Sequence, residues 1–121
     1  GLYTKINKMI ELLVDEGYAF DYLAILEVKK NNNPEQSEVW MSCSAYLSSQ
    51  FPQETWRNLI SSEEYTKMVE VNQKTFDAVD KARYGEITAK QVDDCNMQRF
   101  KAKQKFRNKF FPKSNQSEFK T

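Results

Sequence analysis

Two long amphipathic segments, residues 62–83 and 88–111, constrain the fold of this chain more than any other feature of its sequence. In each segment, apolar residues recur mostly at helical steps, which places them on one face of a helix. They are Tyr65, Met68, Val69, Phe76 and Val79 in the first segment, and Val92, Cys95, Phe106 and Phe110 in the second. We therefore expect two long helices that each bury one face.

The residues that flank these segments predict that the two helices fold back on each other. Ser61 with Glu64, and Thr88 with Gln91, match the capping-box pattern that satisfies backbone N–H groups at the start of a helix. Gly85 lies just past the first segment, where glycine adopts the left-handed conformation that ends a helix. Only residues 84–87 connect the two segments. Because so short a connection places neighbouring helices side by side, the segments should form an antiparallel hairpin.

The rest of the sequence predicts shorter helices around this hairpin. Apolar periodicity, glycine and proline predict helices over Leu2 to Glu16 with Gly17 as its stop, over Tyr18 to Lys30, from Pro34 to Phe51 with Asn33 as its N-cap, and over Gln53 to Ile60. The helix over Tyr18 to Lys30 is apolar on most sides, so it should be the central one. We expect an all-α fold of five to six helices, with residues 1–113 as a single helical domain and residues 114–121 as a flexible polar tail.

Composition excludes several classes of function. The chain of 121 residues contains no histidine, which removes the commonest general base and the commonest transition-metal ligand. Its two cysteines, Cys43 and Cys95, are too few for a disulfide framework. No apolar run approaches the roughly 20 residues that a membrane span requires. We expect a cytoplasmic protein that binds no membrane, metal or small-molecule cofactor.

Six polar residues interrupt or border the apolar face of the hairpin, and they form the first candidate site. They are Asn72, Asp80 and Arg83 on the first helix and Asn96, Arg99 and Lys103 on the second. A buried polar group is costly unless it is hydrogen-bonded, so these side chains should find one another or face a cleft. They could form an internal network that fixes the register of the helices, bind an anionic or amide ligand, or point to solvent if the helices are rotated.

The second candidate site is the basic end of the chain. Residues 99–113 contain seven Lys and Arg residues and no acid, whereas residues 1–98 carry ten basic and 16 acidic residues, a net charge of −6. Lys101, Lys105, Arg107 and Lys109, interleaved with phenylalanines, are candidates for binding nucleic acid or another polyanion. Alternatively, these charges pair with the acidic body of the same chain or bind a protein partner.

Two pairs of carboxylates, Glu35 with Glu38 and Asp77 with Asp80, each place two acids one helical turn apart. Such pairs can hold Mg²⁺. The arrangement resembles the helical nucleotide pyrophosphohydrolases, which use an ExxE motif followed by ExxD, and this resemblance implies a metal-dependent nucleotide hydrolase. The chain departs from that pattern because its second pair begins with Asp and because the two pairs lie farther apart. The alternative is that both pairs are solvated surface charge.

The leading functional prediction is a small non-catalytic helical interaction or assembly protein. An acidic body and a basic, phenylalanine-rich terminal helix are complementary between chains, which favours self-association or a protein partner. The alternatives are nucleic-acid binding through the basic helix and metal-dependent nucleotide hydrolysis.

Overall fold

The computed structural model describes residues 10–113, and this part of the chain is all-α, as predicted. Its elements are α1 (Glu16–Asn32), a short 3-10 turn (Pro34–Gln36), α2 (Ser37–Ser49), α3 (Gln53–Ile60), α4 (Glu63–Arg83) and α5 (Ala89–Phe110). Residues 2–9 of the predicted first helix and the predicted tail, residues 114–121, lie outside the described residues. No helix of residues 10–113 is long and apolar enough to cross a membrane.

Helices α4 and α5 form the predicted antiparallel hairpin. Near its open end the Tyr65 and Phe106 rings lie 6.4 Å apart, and farther along the Thr75 hydroxyl lies 3.4 Å from the Cys95 carbonyl oxygen. The turn uses Gly85 in the left-handed region, at a φ of 71°. Contacts between α4 and α5 therefore run along most of both helices.

The predicted N-terminal cap is confirmed for α5 and is displaced by one residue for α4. Thr88 and Gln91 form the predicted capping box at the start of α5. At the start of α4, however, the cap is Ser62 and not Ser61, because the Ser62 hydroxyl accepts a hydrogen bond from the Tyr65 N–H at 3.1 Å. The Ser61 hydroxyl instead donates to the Arg57 carbonyl at the end of α3.

The predicted helix over Leu2 to Glu16 is wrong in the part that the structure describes. Residues 10–15 are not helical, and α1 begins at Glu16, with the Asp15 carboxylate accepting a hydrogen bond from the Tyr18 N–H at 2.8 Å. Gly17 does not end a helix but lies in the first turn of α1. A Cβ atom there would lie 3.1 Å from three atoms of the Arg107 side chain, so glycine permits close packing of α1 on α5.

The core is built around α1, as its apolar sequence predicts. The Phe20 ring is fully buried, with ring-centroid distances of 5.0 Å to Phe106 and 5.8 Å to both Phe51 and Trp56. Further buried apolar side chains of this cluster are Leu23, Ala24, Leu59, Tyr65, Met68, Val71 and Ala102. The core therefore joins α1 to the first half of α4 and the second half of α5.

The other half of the hairpin is covered less completely. Leu23 and Glu27 on one side of α1 share a cavity with the first half of α4, whereas Ile25 and Val28 on another side share a groove with its second half. Helix α1 thus lies across α4. As a result Phe76 and Val79, predicted to be buried, remain 43% and 39% exposed.

Candidate binding groove between α1 and the helical hairpin

A buried carboxylate, Asp21 of α1, joins two of the predicted polar residues. Its Oδ1 accepts a hydrogen bond from Asn72 Nδ2 at 2.9 Å, and its Oδ2 forms an ion pair with Arg99 Nη2 at 3.0 Å. The Asn72 amide also donates to the Met68 carbonyl at 2.8 Å. Both carboxylate oxygens are therefore engaged, and one side chain from each of α1, α4 and α5 meets at this point.

Sequence reasoning missed Asp21, although its sequence context contained a signal. Asp21 is a single acid in a stretch of α1 that is otherwise apolar, between Phe20 and Tyr22. A carboxylate buried among apolar residues requires a cation or hydrogen-bond donors, because its desolvation is costly. The same reasoning applies to Asp15, which was also overlooked as a partner for the basic helix.

Next to this polar cluster lies a groove of about 290 Å³, formed by α1, α4 and α5. Its apolar lining comprises Ile25 and Val28 of α1 and Phe76 and Val79 of α4. Its polar lining includes Lys29 of α1 and four of the six predicted residues, Asn72, Asp80, Arg83 and Arg99. The structure thus brings most of the predicted cluster to the wall of one surface depression, which we call the groove.

The other two predicted residues, Asn96 and Lys103, lie outside the groove lining. Asn96 is exposed, and its Oδ1 accepts a long hydrogen bond of 3.4 Å from Arg99 Nη1. The Lys103 ammonium lies 5.9 Å from the ring centroids of both Tyr18 and Phe100. Asn96 therefore helps to position Arg99, whereas Lys103 covers aromatic side chains.

The rim of the groove carries more positive than negative charge. Lys29, Arg83 and Arg99 contribute three cations, and Asp80 contributes one carboxylate. The ion pair with Asp21 partly neutralises Arg99, but the Arg99 Nε atom is buried and has no hydrogen-bond partner among the described residues. The groove is thus an apolar depression whose edge favours an acidic group.

A second cavity of about 250 Å³ lies on the other side of α1. Its lining includes Trp40, Trp56 and Tyr65, and its Glu27 carboxylate already accepts a hydrogen bond from the Tyr65 hydroxyl at 3.1 Å. Burial and the neighbouring Glu27 raise the pKa of Tyr65. The tyrosine therefore stays neutral as a hydrogen-bond donor to Glu27, and this cavity contains none of the predicted site residues.

The structure changes the predicted polyanion-binding set. Arg107 is wrongly included, because its side chain is 0% exposed and forms an ion pair with the equally buried Asp15 at 3.3 Å. Lys109 forms a surface ion pair with Glu64 at 3.0 Å, and this contact lowers the pKa of the Glu64 carboxyl. Lys101 and Lys105 are exposed. Polyanion binding through these lysines remains a prediction, on a smaller surface than the sequence suggested.

The carboxylate pairs do not assemble into a metal-binding group. Within residues 10–113, no cluster of three or more His, Cys, Asp or Glu side chains is arranged to hold a metal ion. Asp77 accepts a hydrogen bond from Gln73 at 2.9 Å, and Asp80 lies at the groove. The geometry thus gives no support to the resemblance to nucleotide pyrophosphohydrolases.

The fold and the groove together define a small helical protein in which a central helix crosses a long hairpin and leaves an apolar depression with a cationic rim. No protein-family model, curated protein sequence or solved structure matches the chain. The function must therefore be inferred from the residues of the groove.

Proposed function

We propose that this is a non-catalytic interaction protein whose groove binds an apolar segment of a protein partner. One observation carries the proposal: Phe76 and Val79 lie substantially exposed on α4, in a groove that is walled by α1 on its other side. Apolar side chains between two helices are the usual contact surface for a third helix or an extended segment. Binding such a segment would remove both side chains from water.

The cationic rim supports a preference among partners. Lys29 and Arg83 are exposed at the groove, and Arg99 is partly exposed beside them. Charges at the edge of an interface contribute more to specificity and to the rate of association than to affinity. We therefore expect the preferred partner segment to combine apolar residues with at least one acidic residue.

The chemistry of the groove favours binding over catalysis. Its hydroxyl group, that of Thr75, already donates to the Val71 carbonyl at 2.8 Å. Its one lining carboxylate, Asp80, is exposed and lies at the groove with Arg83. A nucleophile needs an adjacent base within hydrogen-bond reach, and the groove lining presents no such pair.

Replacing Val79 with aspartate should weaken binding of partner peptides at the groove, because it places a carboxylate on the apolar surface that the partner covers. The measurement is a peptide-display selection against the immobilised full-length protein, followed by affinity measurement of the enriched peptides. We expect enrichment of apolar sequences that contain an acidic residue, and at least a roughly tenfold weaker affinity for the Val79→Asp protein.

A closely matched control is available. Val39 of α2 is 38% exposed, against 39% for Val79, and it lies outside the groove. Val39→Asp should therefore bind the selected peptides with the affinity of the wild type. Selection of no common sequence, or equal binding by Val79→Asp and wild type, would show that the groove is not a protein-binding surface.

A further inference from the structure

We propose that the occupant of the groove is the segment Ile10–Val14 of a second copy of this chain, and that two copies exchange these segments reciprocally. This inference rests on the proposed function, since it requires the groove to bind protein. We call residues 10–14 the arm. The pairing would make the protein a dimer in which each arm crosses to its partner.

The arm is the most exposed apolar segment in residues 10–113. Its sequence is Ile-Glu-Leu-Leu-Val, it forms no helix or strand, and Ile10, Leu12 and Leu13 are 79%, 75% and 103% exposed. An apolar run of this kind is unfavourable in water unless another surface covers it. The chain therefore presents both an uncovered apolar segment and an uncovered apolar groove.

The chemistry of the arm matches that of the groove. In an extended segment, successive side chains point to opposite sides, so Ile10, Leu12 and Val14 can share one side while Glu11 and Leu13 share the other. The apolar side fits the lining formed by residues such as Phe76 and Val79, and the acid fits the rim of Lys29, Arg83 and Arg99. This is the combination of apolar and acidic character that the groove should prefer.

The arm is too short to fill the groove of its own chain. Its C-terminal end is fixed, because Asp15 caps α1 and pairs with the buried Arg107. At about 1.5 Å per residue, Asp21 beside the near edge of the groove lies roughly 9 Å farther along α1, and Lys29 of the lining lies roughly 21 Å farther. Five extended residues span at most about 17 Å, so the arm could cover only the near part of its own groove. The groove of a second copy carries no such restriction.

Reciprocal exchange also explains why the assembly would stop at two chains. When each copy gives its arm to the other, the contact is symmetric and closed, and neither an arm nor a groove is left without a partner. A one-way exchange would leave one arm and one groove exposed and would extend into a chain of subunits. The closed dimer therefore covers the most apolar surface per molecule.

Light scattering of the full-length chain over a range of concentrations tests this exchange. The wild type should approach twice the 14.3-kDa mass of one chain. Leu12→Asp in the arm and Val79→Asp in the groove should each weaken association at least roughly tenfold, whereas Val39→Asp should not. An equimolar mixture of Leu12→Asp and Val79→Asp chains should associate better than either variant alone, because it pairs one intact arm with one intact groove, while each homodimer contains no intact pair.

A wild type that stays at 14.3 kDa at every concentration, or a mixture that associates no better than its components, overturns the exchange.

A disulfide experiment distinguishes pairing between two chains from pairing within one chain. It uses Leu12→Cys and Val79→Cys in a chain with Cys43→Ser and Cys95→Ser, analysed on a non-reducing gel. A band of two linked chains supports the exchange, and a ring closed within one chain refutes it. If the chain is monomeric while displayed peptides still require Val79, only the identity of the partner is wrong. If those peptides bind Val79→Asp equally well, the proposed function itself is wrong.

Discussion

Replacing Arg107 with alanine should lower the free energy of unfolding by about 3–5 kcal/mol, the cost expected when one partner of a buried ion pair is removed. The Arg107 and Asp15 side chains are both 0% exposed, and Arg107 Nη1 lies 3.3 Å from Asp15 Oδ1. Without the guanidinium, the Asp15 carboxylate loses its buried cation. The long side chain that packs under Gly17 is also lost, which leaves a cavity between α1 and α5. Urea denaturation followed by circular dichroism measures the change.

Lys105 provides the control for this substitution, because it is exposed on the same helix two residues away. Lys105→Ala should change the free energy of unfolding by no more than about 0.5 kcal/mol. Removing both charges with Asp15→Asn and Arg107→Met should cost less than the sum of the two single changes, since asparagine can still cap α1 and no unpaired charge remains. If Arg107→Ala is as mild as Lys105→Ala, the buried ion pair does not hold α1 to α5.

Phe106→Ala, as a separate single substitution, should also lower the free energy of unfolding by about 3–5 kcal/mol, through loss of aromatic burial and creation of a cavity. The Phe106 ring is fully buried, with centroid distances of 5.0 Å to Phe20 and 5.1 Å to Phe110. The same denaturation measurement applies. Phe76→Ala is the matched control, because Phe76 is 43% exposed in the groove and should cost about 1 kcal/mol or less in the single chain. Equal costs for the two substitutions would contradict the assignment of Phe106 to the core and Phe76 to the surface.

These two residues matter to the groove because of where they hold α1. Phe106 and Arg107 are neighbours on α5, and both contact the first turns of α1, through Phe20 and Asp15. Asp21, the residue after Phe20 on α1, meets Asn72 and Arg99 at the edge of the groove. The position of α1, and with it the shape of the groove, therefore depends on contacts at its N-terminal end.

The hairpin could be predicted from sequence because its determinants are local. Thr88, Gln91 and Gly85 act within a few residues of the helix ends that they define, and the periodicity of α4 and α5 is a property of each segment alone. The prediction that Gly17 ends a helix is wrong for the opposite reason. Gly17 allows close packing against Arg107, which is 90 residues away in sequence, and no residue near Gly17 in the sequence indicates that contact.

The site was only partly predictable, again for a physical reason. Helical periodicity marked Asn72 and Arg99 as polar positions beside an apolar face, but their common partner Asp21 lies 51 and 78 residues away from them. Periodicity also assigned Phe76 and Val79 to the buried face, which would hold only if a third helix ran along the whole hairpin. The crossing of α1 over α4 is set by tertiary packing, so the groove could not be derived from either helix alone.

The most direct measurement is a dilution series of nitrogen-15 amide spectra of the full-length chain. If arms and grooves pair between copies, the resonances of residues 10–14 and those of Phe76 and Val79 should shift together on dilution, with one common midpoint, while those around Val39 stay in place. Spectra that do not change with concentration, or changes confined to residues outside both the arm and the groove, would contradict the exchange of arms between copies.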